Sequence, residues 1–210
     1  MQEKIVVLGA GESGIGAALL AKKKGFDVFL SDKKNIAEEL QVLLNKESIG
    51  WEAGMHTLES MKGVRTVVKS PGIPDTLPLI QDLKKQGSTI ISEIEFASQY
   101  THATLIGITG TNGKTTTTML TYEILKNAGL NVGLAGNIGT SFARQVAQEE
   151  YDYYILEISS FQLDNIRNFA PHISVITNIT PDHLDRYQYS LEEYIQAKLK
   201  ISQNQSQKEK

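Results

Sequence analysis

The chain has 210 residues, of which 40% are apolar and 21% charged, and a net charge of -3. This ordinary globular balance allows one large or two small domains and argues against a broad nucleic-acid surface. There is no cysteine, which rules out disulfides and thiolate metal sites.

The start, MQEKIVVLGAGESG, passes from two charges into a short apolar strand. It lacks the basic, apolar and small-residue regions of a signal peptide. No run approaches the ~18 apolar residues of a membrane span. A cytoplasmic monomer without nucleic-acid or membrane partners is expected.

Strand-like and helix-like patterns alternate over the first hundred residues. Lys4 to Leu8 reads as a strand, and Gly9 to Gly16 is glycine-rich. Ile15 to Lys24 has helical spacing and stops at Gly25. Asp27 to Ser31 reads as a strand and Asn35 to Asn45 as a helix. Val64 to Lys69 is a strand broken by Ser70-Pro71-Gly72. A helix follows over Leu77 to Gln86, a short strand over Thr89 to Ile91 and a helix over Glu93 to Tyr100. Repeated strand–helix units predict an α/β fold with a parallel sheet and right-handed crossovers.

A second unit begins near His102, which divides the chain into residues 1–101 and 102–210. Thr104 to Thr109 reads as a strand, followed by a glycine loop and a helix from Lys114 to Asn127. Gly129 ends that helix as a C-terminal cap would. Tyr153 to Ile158 and Ile173 to Thr177 read as buried strands, and Leu191 to Ile201 as a helix. The tail from Ser202 to Lys210 is polar and aperiodic.

Gly107-Ile108-Thr109-Gly110-Thr111-Asn112-Gly113-Lys114-Thr115-Thr116 follows an apolar strand and opens a helix. In that setting backbone N–H groups and the helix dipole converge on an anion. Lys114 would reach terminal phosphates and the Thr115 hydroxyl would ligate Mg²⁺. The strict G-x-x-x-x-G-K-[ST] pattern is not met, because residue 108 is Ile. The plain alternative is a glycine-rich turn with an incidental lysine.

Gly9-Ala10-Gly11-Glu12-Ser13-Gly14 matches G-x-G-x-x-G between a strand and a helix. Asp32 ends the second strand, where a ribose-binding acid would stand. Read alone, this motif says dinucleotide. A tight turn without ligand, or any ligand with a diphosphate, remains open beside it.

Glu157 ends an apolar run, which puts it at the carboxyl edge of a buried strand, where a carboxylate can hold Mg²⁺. Asn178 to Tyr187, containing Asp182, His183 and Arg186, follows another strand and should open on the same edge. Lys198 lies on a predicted helix, where spacing alone gives it no role beyond a solvated face.

Together GITGTNGKTT, GNIG (Gly136 to Gly139), EISSFQL (Glu157 to Leu163) and NITPDHLDRY (Asn178 to Tyr187) resemble the Mur ligases of peptidoglycan synthesis. EISSFQL and the Ser70-Pro71-Gly72 loop look like the D-glutamate-adding branch. The resemblance runs from the first strand to about Ile201. It implies a longer, three-domain protein, of which this chain holds a Rossmann-like UDP-binding domain and part of a P-loop ATPase domain. The adenine and D-glutamate contacts would then lie beyond residue 210.

The resemblance implies an ATP-dependent ligase joining D-glutamate to UDP-N-acetylmuramoyl-L-alanine through an acyl phosphate. Gly11, Ser13, Gly14, Asp32, Lys33, Ser70, Pro71 and Gly72 would then lie near the uridine diphosphate. Gly110, Thr111, Asn112, Gly113, Lys114, Thr115 and Thr116 would bind ATP. Thr115, Glu157, His183 and Lys198 would serve two Mg²⁺ ions, with Lys198 carbamylated. Lys114, Glu157, His183 and Lys198 would be catalytic, while Asn137, Gln162 and His183 would contact the sugar-peptide. A folylpolyglutamate-synthase-like ligase, an NAD oxidoreductase, or a fragment that binds the UDP-substrate without activity are the alternatives.

Overall fold

The computed structural model describes residues 2–206. The first half contains β1 (Lys4–Leu8), α1 (Glu12–Lys23), β2 (Asp27–Asp32), α2 (Glu38–Lys46), β3 (Gly50–Ala53), β4 (Thr66–Lys69), α3 (Pro78–Lys85), β5 (Thr89–Ile91) and α4 (Glu93–Ser98). The second half contains β6 (Thr104–Thr109), α5 (Lys114–Asn127), β7 (Val132–Gly136), α6 (Phe142–Gln148), β8 (Tyr153–Glu157), α7 (Ser160–Leu163), β9 (Ile173–Ile176) and α8 (Leu191–Leu199). Single 3-10 turns occupy Leu58–Met61, Leu184–Tyr187 and Lys200–Ser202.

The strands form two parallel sheets, ordered β3-β2-β1-β4-β5 and β7-β8-β6-β9. The α/β expectation therefore holds. Central strands of a parallel sheet are covered on both faces and read as continuous apolar runs. Ile5 to Leu8 and Tyr154 to Leu156 are accordingly buried.

Both sheets reverse their strand order next to their first strand, and such a switch point opens a crevice at the carboxyl ends. In the first sheet the crevice lies between β1 and β4, so the loops at Gly9 to Gly14 and Ser70 to Gly72 share it. The Ser70 N–H donates to the Leu8 carbonyl at 2.9 Å. In the second sheet β6 connects towards β7 and β8 towards β9, so the crevice lies between β6 and β8, where the phosphate-type loop meets Glu157, and the segment from Asn178 holds that loop from the β9 side.

Several expected boundaries move for local reasons. The strand expected from Val64 starts at Thr66, because the Val64 N–H donates to the Met61 carbonyl and Gly63 turns with φ 72°. The helix expected from Asn35 starts at Glu38, after Ala37 in an extended conformation. The last helix tightens into a 3-10 turn at Lys200, before the expected end at Ile201. The tail is less free than its polarity suggests. Asn204 donates to the carbonyls of Arg167 and Phe169, and Gln205 to that of Pro171. The rest of the expected tail, residues 207–210, lies outside the described residues.

The two halves are packed together. α1 presents Ala17, Ala18 and Ala21 to Phe142, Ala143 and Ala147 of α6 in one apolar core. Gly16 lies directly against Ser141 and Arg144, with no room for a side chain. Carboxylates complete the joint. Glu12 accepts from the Ser141 N–H and pairs with Arg144 at 3.3 Å. Glu93 accepts from the Ala143 N–H, and Glu95 accepts from the N–H groups of Arg167, Asn168 and Phe169.

Candidate active site

The glycine loop after β6 is built around close approach. Gly110 has φ 149°, and a Cβ there would overlap the Thr177 hydroxyl, so only glycine fits. Thr111 is buried, and its hydroxyl lies 3.1 Å from the Tyr194 hydroxyl and accepts from the Thr180 N–H. Asn112 is gripped by Asn178 through its N–H and carbonyl. Thr177 also donates to the Asn112 carbonyl at 2.6 Å. Gly113, with φ 80°, then turns the chain into α5. Lys114 Nζ donates to the Thr111 carbonyl at 2.9 Å, folding back over its own loop. Thr116 is exposed on the first turn.

Glu157, at the end of β8, is only 2% exposed. Its Oε2 accepts from the Thr115 hydroxyl at 2.7 Å and its Oε1 from the Asn137 amide at 2.9 Å. These neutral donors hold a buried carboxylate in place. Gly136 turns with φ 105°, and the Asn137 N–H donates to the Glu157 carbonyl. The two segments are thus locked side by side.

Gln162, expected against substrate, has a structural task. Its Oε1 accepts from the Ser159 N–H while Ser159 caps the Gln162 N–H, a reciprocal capping box on α7. The same lock sets Ser159, Ser160 and Phe161 at the mouth of the site.

Lys198 is not on a solvated face. It is 1% exposed, donates to the Gly110 carbonyl at 2.8 Å and lies over the Tyr194 ring at 4.6 Å. Burial, reinforced by the like charge of Lys114, pulls its ammonium down to about 8, against the opposing pull of Asp182. His183 adopts a left-handed backbone with φ 49°. Its Nε2 is 3.5 Å from the Asp182 carboxylate, and its ring lies 5.5 Å from that of Phe161.

These residues meet in a cleft of 200 Å³ lined by Lys114, Asn137, Ser159, Ser160, Phe161, Asp182, His183, Tyr194 and Lys198. Pro71 and Gly72 of the first half close it from the other side. Among the described residues, no group of three or more His, Cys, Asp or Glu side chains converges as a metal cluster. The oxygen donors brought together directly are those of Thr115 and Glu157.

In the first half, Asp32 faces the glycine loop. Its Oδ2 accepts from the Ala10 N–H at 2.6 Å and its Oδ1 from the Lys34 N–H at 2.7 Å. Lys33 beside it is exposed, while Gly11 caps α1 and Ser13 stands half-buried on its first turn, next to the buried Gly14.

Sequence reasoning gave no role to Ser160, Phe161, Asp182, Arg186 or Tyr194. A Ser159-x-x-Gln162 capping box was readable in the sequence. The Thr111–Tyr194 pairing spans distant segments and carried no local signal. Among the described residues, no helix is long and apolar enough to cross a membrane.

Two family models match the chain, "Mur ligase MurD-like, N-terminal domain" over residues 3–92 and "Mur ligase middle domain" over residues 108–210. A UDP-N-acetylmuramoylalanine--D-glutamate ligase of Bacteroides fragilis is 61% identical over 204 residues, covering 97% of this chain and 46% of that protein. The chain thus spans about half the length of the curated relatives it matches. The crystal structure of UDP-N-acetylmuramate-alanine ligase MurC from Thermotoga maritima aligns with TM-score 0.59 at 25% identity, over 98% of this chain and 48% of that one. The Neisseria UDP-N-acetylmuramate:L-alanyl-gamma-D-glutamyl-meso-diaminopimelate ligase shares the fold, with TM-score 0.61 at 21% identity over 96% of this chain and 69% of that one. With a family model on each sheet and 61% identity along nearly its whole length, the chain belongs to the Mur ligase family.

Proposed function

We propose that this chain is the substrate-binding unit and the phosphate grip of an ATP-dependent ligase. The ligase adds D-glutamate to UDP-N-acetylmuramoyl-L-alanine in peptidoglycan precursor synthesis, in the cytoplasm. The observation that carries the reading is the shared cleft. Pro71 and Gly72, beside the glycine motif of the first sheet, face Lys114, Asn137, His183 and Lys198 of the second. A substrate with a diphosphate at one end and a carboxylate at the other can span such a cleft.

Residues 1–101 would hold the UDP moiety through Gly11, Ser13, Gly14, Asp32, Lys33 and the Ser70 to Gly72 loop. Residues 102–210 would hold the ATP phosphates on the N–H groups of Gly110 to Thr116. The substrate carboxylate attacks the γ-phosphorus, the bond to ADP breaks, and an acyl phosphate forms. The D-glutamate amine then attacks the acyl carbon, phosphate leaves, and the amine loses its proton. Joining two anions needs cations and alignment rather than covalent help from the protein. Lys114 supplies positive charge at the β/γ-phosphates, and Asn137 and His183 orient the attacking carboxylate.

The donors present fit Mg²⁺. Glu157 is a buried carboxylate whose partners, Thr115 and Asn137, are neutral. Hard oxygen donors of this kind suit Mg²⁺. Thr115 and Glu157 would hold one ion, and Glu157, His183 and Lys198 would serve a second. The ions supply charge neutralisation for the triphosphate. Lys198 can join them only as an anion. Its neutral amine adds to CO₂ and releases a proton, leaving a carbamate.

The test uses the full-length protein. Wild type should release ADP only with both UDP-N-acetylmuramoyl-L-alanine and D-glutamate present. Lys114→Ala should lose at least about 10²-fold in that rate, the scale of removing one charge-stabilising donor. Near-normal turnover of the variant would remove the phosphate-grip assignment. Calorimetry with the UDP-substrate, UDP and NAD separates the remaining reading, since tight NAD binding would overturn a UDP-sugar site.

A further inference from the structure

Arg186 lies in the single 3-10 turn Leu184–Tyr187, three residues after His183. Its guanidinium carbon sits 4.4 Å from the centre of the Phe161 ring, the geometry of a cation–π contact. From that platform it reaches across the cleft. Nη2 donates to the Pro71 carbonyl at 3.2 Å and Nη1 to the Gly72 carbonyl at 3.5 Å. Phe161 stacks on Tyr187 and also carries the His183 ring, at centroid distances of 6.1 and 5.5 Å.

The same loop is pinned from its own side. Lys69 is 2% exposed, yet its Nζ donates to the Ile73 carbonyl at 2.6 Å and pairs with Asp75 at 3.2 Å. Burial lowers the Lys69 ammonium, and the Asp75 carboxylate counters this. Residues 70–73 are therefore held between Lys69 below and Arg186 across the cleft. A solvated arginine with one incidental contact would not show two consecutive carbonyl acceptors and an aromatic platform together. A lysine cannot reproduce the arrangement, because its single ammonium lacks the flat fork that stacks and donates at once.

We propose that Arg186 is a positioning residue that latches the Pro71–Gly72 segment to the loop carrying His183. This inference rests on the ligase reading above. The latch fixes the register between the substrate-bearing loop and the phosphate loop. Without it the substrate still binds the first half, but its carboxylate meets the γ-phosphate less often in line. Misplacement of about 1 Å can cost on the order of 10²-fold in rate.

The experiment compares wild type, Arg186→Lys and Arg186→Ala in the full-length protein. It reads kcat, the KM for UDP-N-acetylmuramoyl-L-alanine and for ATP, and the melting temperature. The expected result is a kcat lower by on the order of tenfold or more in both variants, with KM values and melting temperature close to wild type. A kcat unchanged in both variants overturns the latch. So does a loss that tracks a fall in melting temperature, or full activity in Arg186→Lys. Phe161→Leu keeps the guanidinium but removes its platform, and it should lower kcat by less than Arg186→Ala. An equal or larger loss with raised KM would assign the effect to Phe161 itself. A wild type without turnover would instead remove the ligase reading on which the latch depends.

Discussion

Lys198 is a cation placed where cations are poorly solvated. Two effects act together on it: little water reaches the ammonium, and Lys114 adds a like charge. Both disfavour protonation, and the group titrates near 8 instead of the ordinary 10.5. Below about 8 the ammonium, hydrogen-bonded to the Gly110 carbonyl, predominates, and above it the free amine does. Only the amine attacks CO₂, so carbamate formation should climb as pH rises through about 8. Labelled bicarbonate followed by NMR would read this directly, with Lys198→Ala as the blank. On the proposed carbamate role, Lys198→Ala in the full-length protein should lose activity and regain part of it with short carboxylic acids, which would stand in for that anion. An active, unrescued Lys198→Ala enzyme would leave the lysine no part in the chemistry.

At the scale of elements, the joint between α1 and α6 depends on absent side chains. Gly16 lies against Ser141 and the Arg144 backbone, and Ala17, Ala18 and Ala21 flank it. Gly16→Val should force the helices apart at a cost of about 1–3 kcal/mol. At roughly 2–4 °C per kcal/mol for a chain of this size, thermal melting would detect it. An unchanged melting temperature would mean that the joint is loose. The sequence made β1, β6, β8 and the long α5 plain, because apolar runs and helical spacing are local signals, but β9, expected as a buried strand, lies at the sheet edge with Ile173 exposed. It concealed β7, whose Val-Gly-Leu-Ala-Gly segment carries two glycines and is held in the sheet by β8. It concealed β3 as well, a half-exposed strand at the sheet edge. The glycine loop and Glu157 were legible as candidate site residues because a glycine-rich turn between strand and helix, and an acid closing an apolar run, are local signals. Arg186 and Tyr194 were not, since their partners come from loops that only the fold brings near.

Across the whole molecule, α4 couples the two sheets through acids rather than through apolar contact alone. Glu95 offers one carboxylate to three successive N–H groups of residues 167–169 and is well satisfied. Glu93 is not. It is 2% exposed, its Oε1 accepts from the Ala143 N–H, and its Oε2 has no hydrogen-bond partner. Burial raises its carboxyl from 4.5 to about 7, opposed by the Ala143 bond and reinforced by the charge of Glu12. Arg144 is committed to Glu12. The folded chain therefore keeps a proton on Glu93 that the unfolded chain has already lost between 4.5 and about 7. Linkage then sets the sign: the stability from this proton is complete below 4.5 and is lost as pH rises through about 7. Glu93→Gln keeps the shape and the acceptor while removing the charge. It should raise stability at pH ~8 by at most about 3 kcal/mol, the ceiling set by such a shift. Near pH ~4 the gain should fall to almost zero, because there the wild-type acid is neutral in both the folded and the unfolded state. Urea unfolding at both pH values separates this from ordinary packing: an equal effect at both would mean that Glu93 carries no proton across the joint.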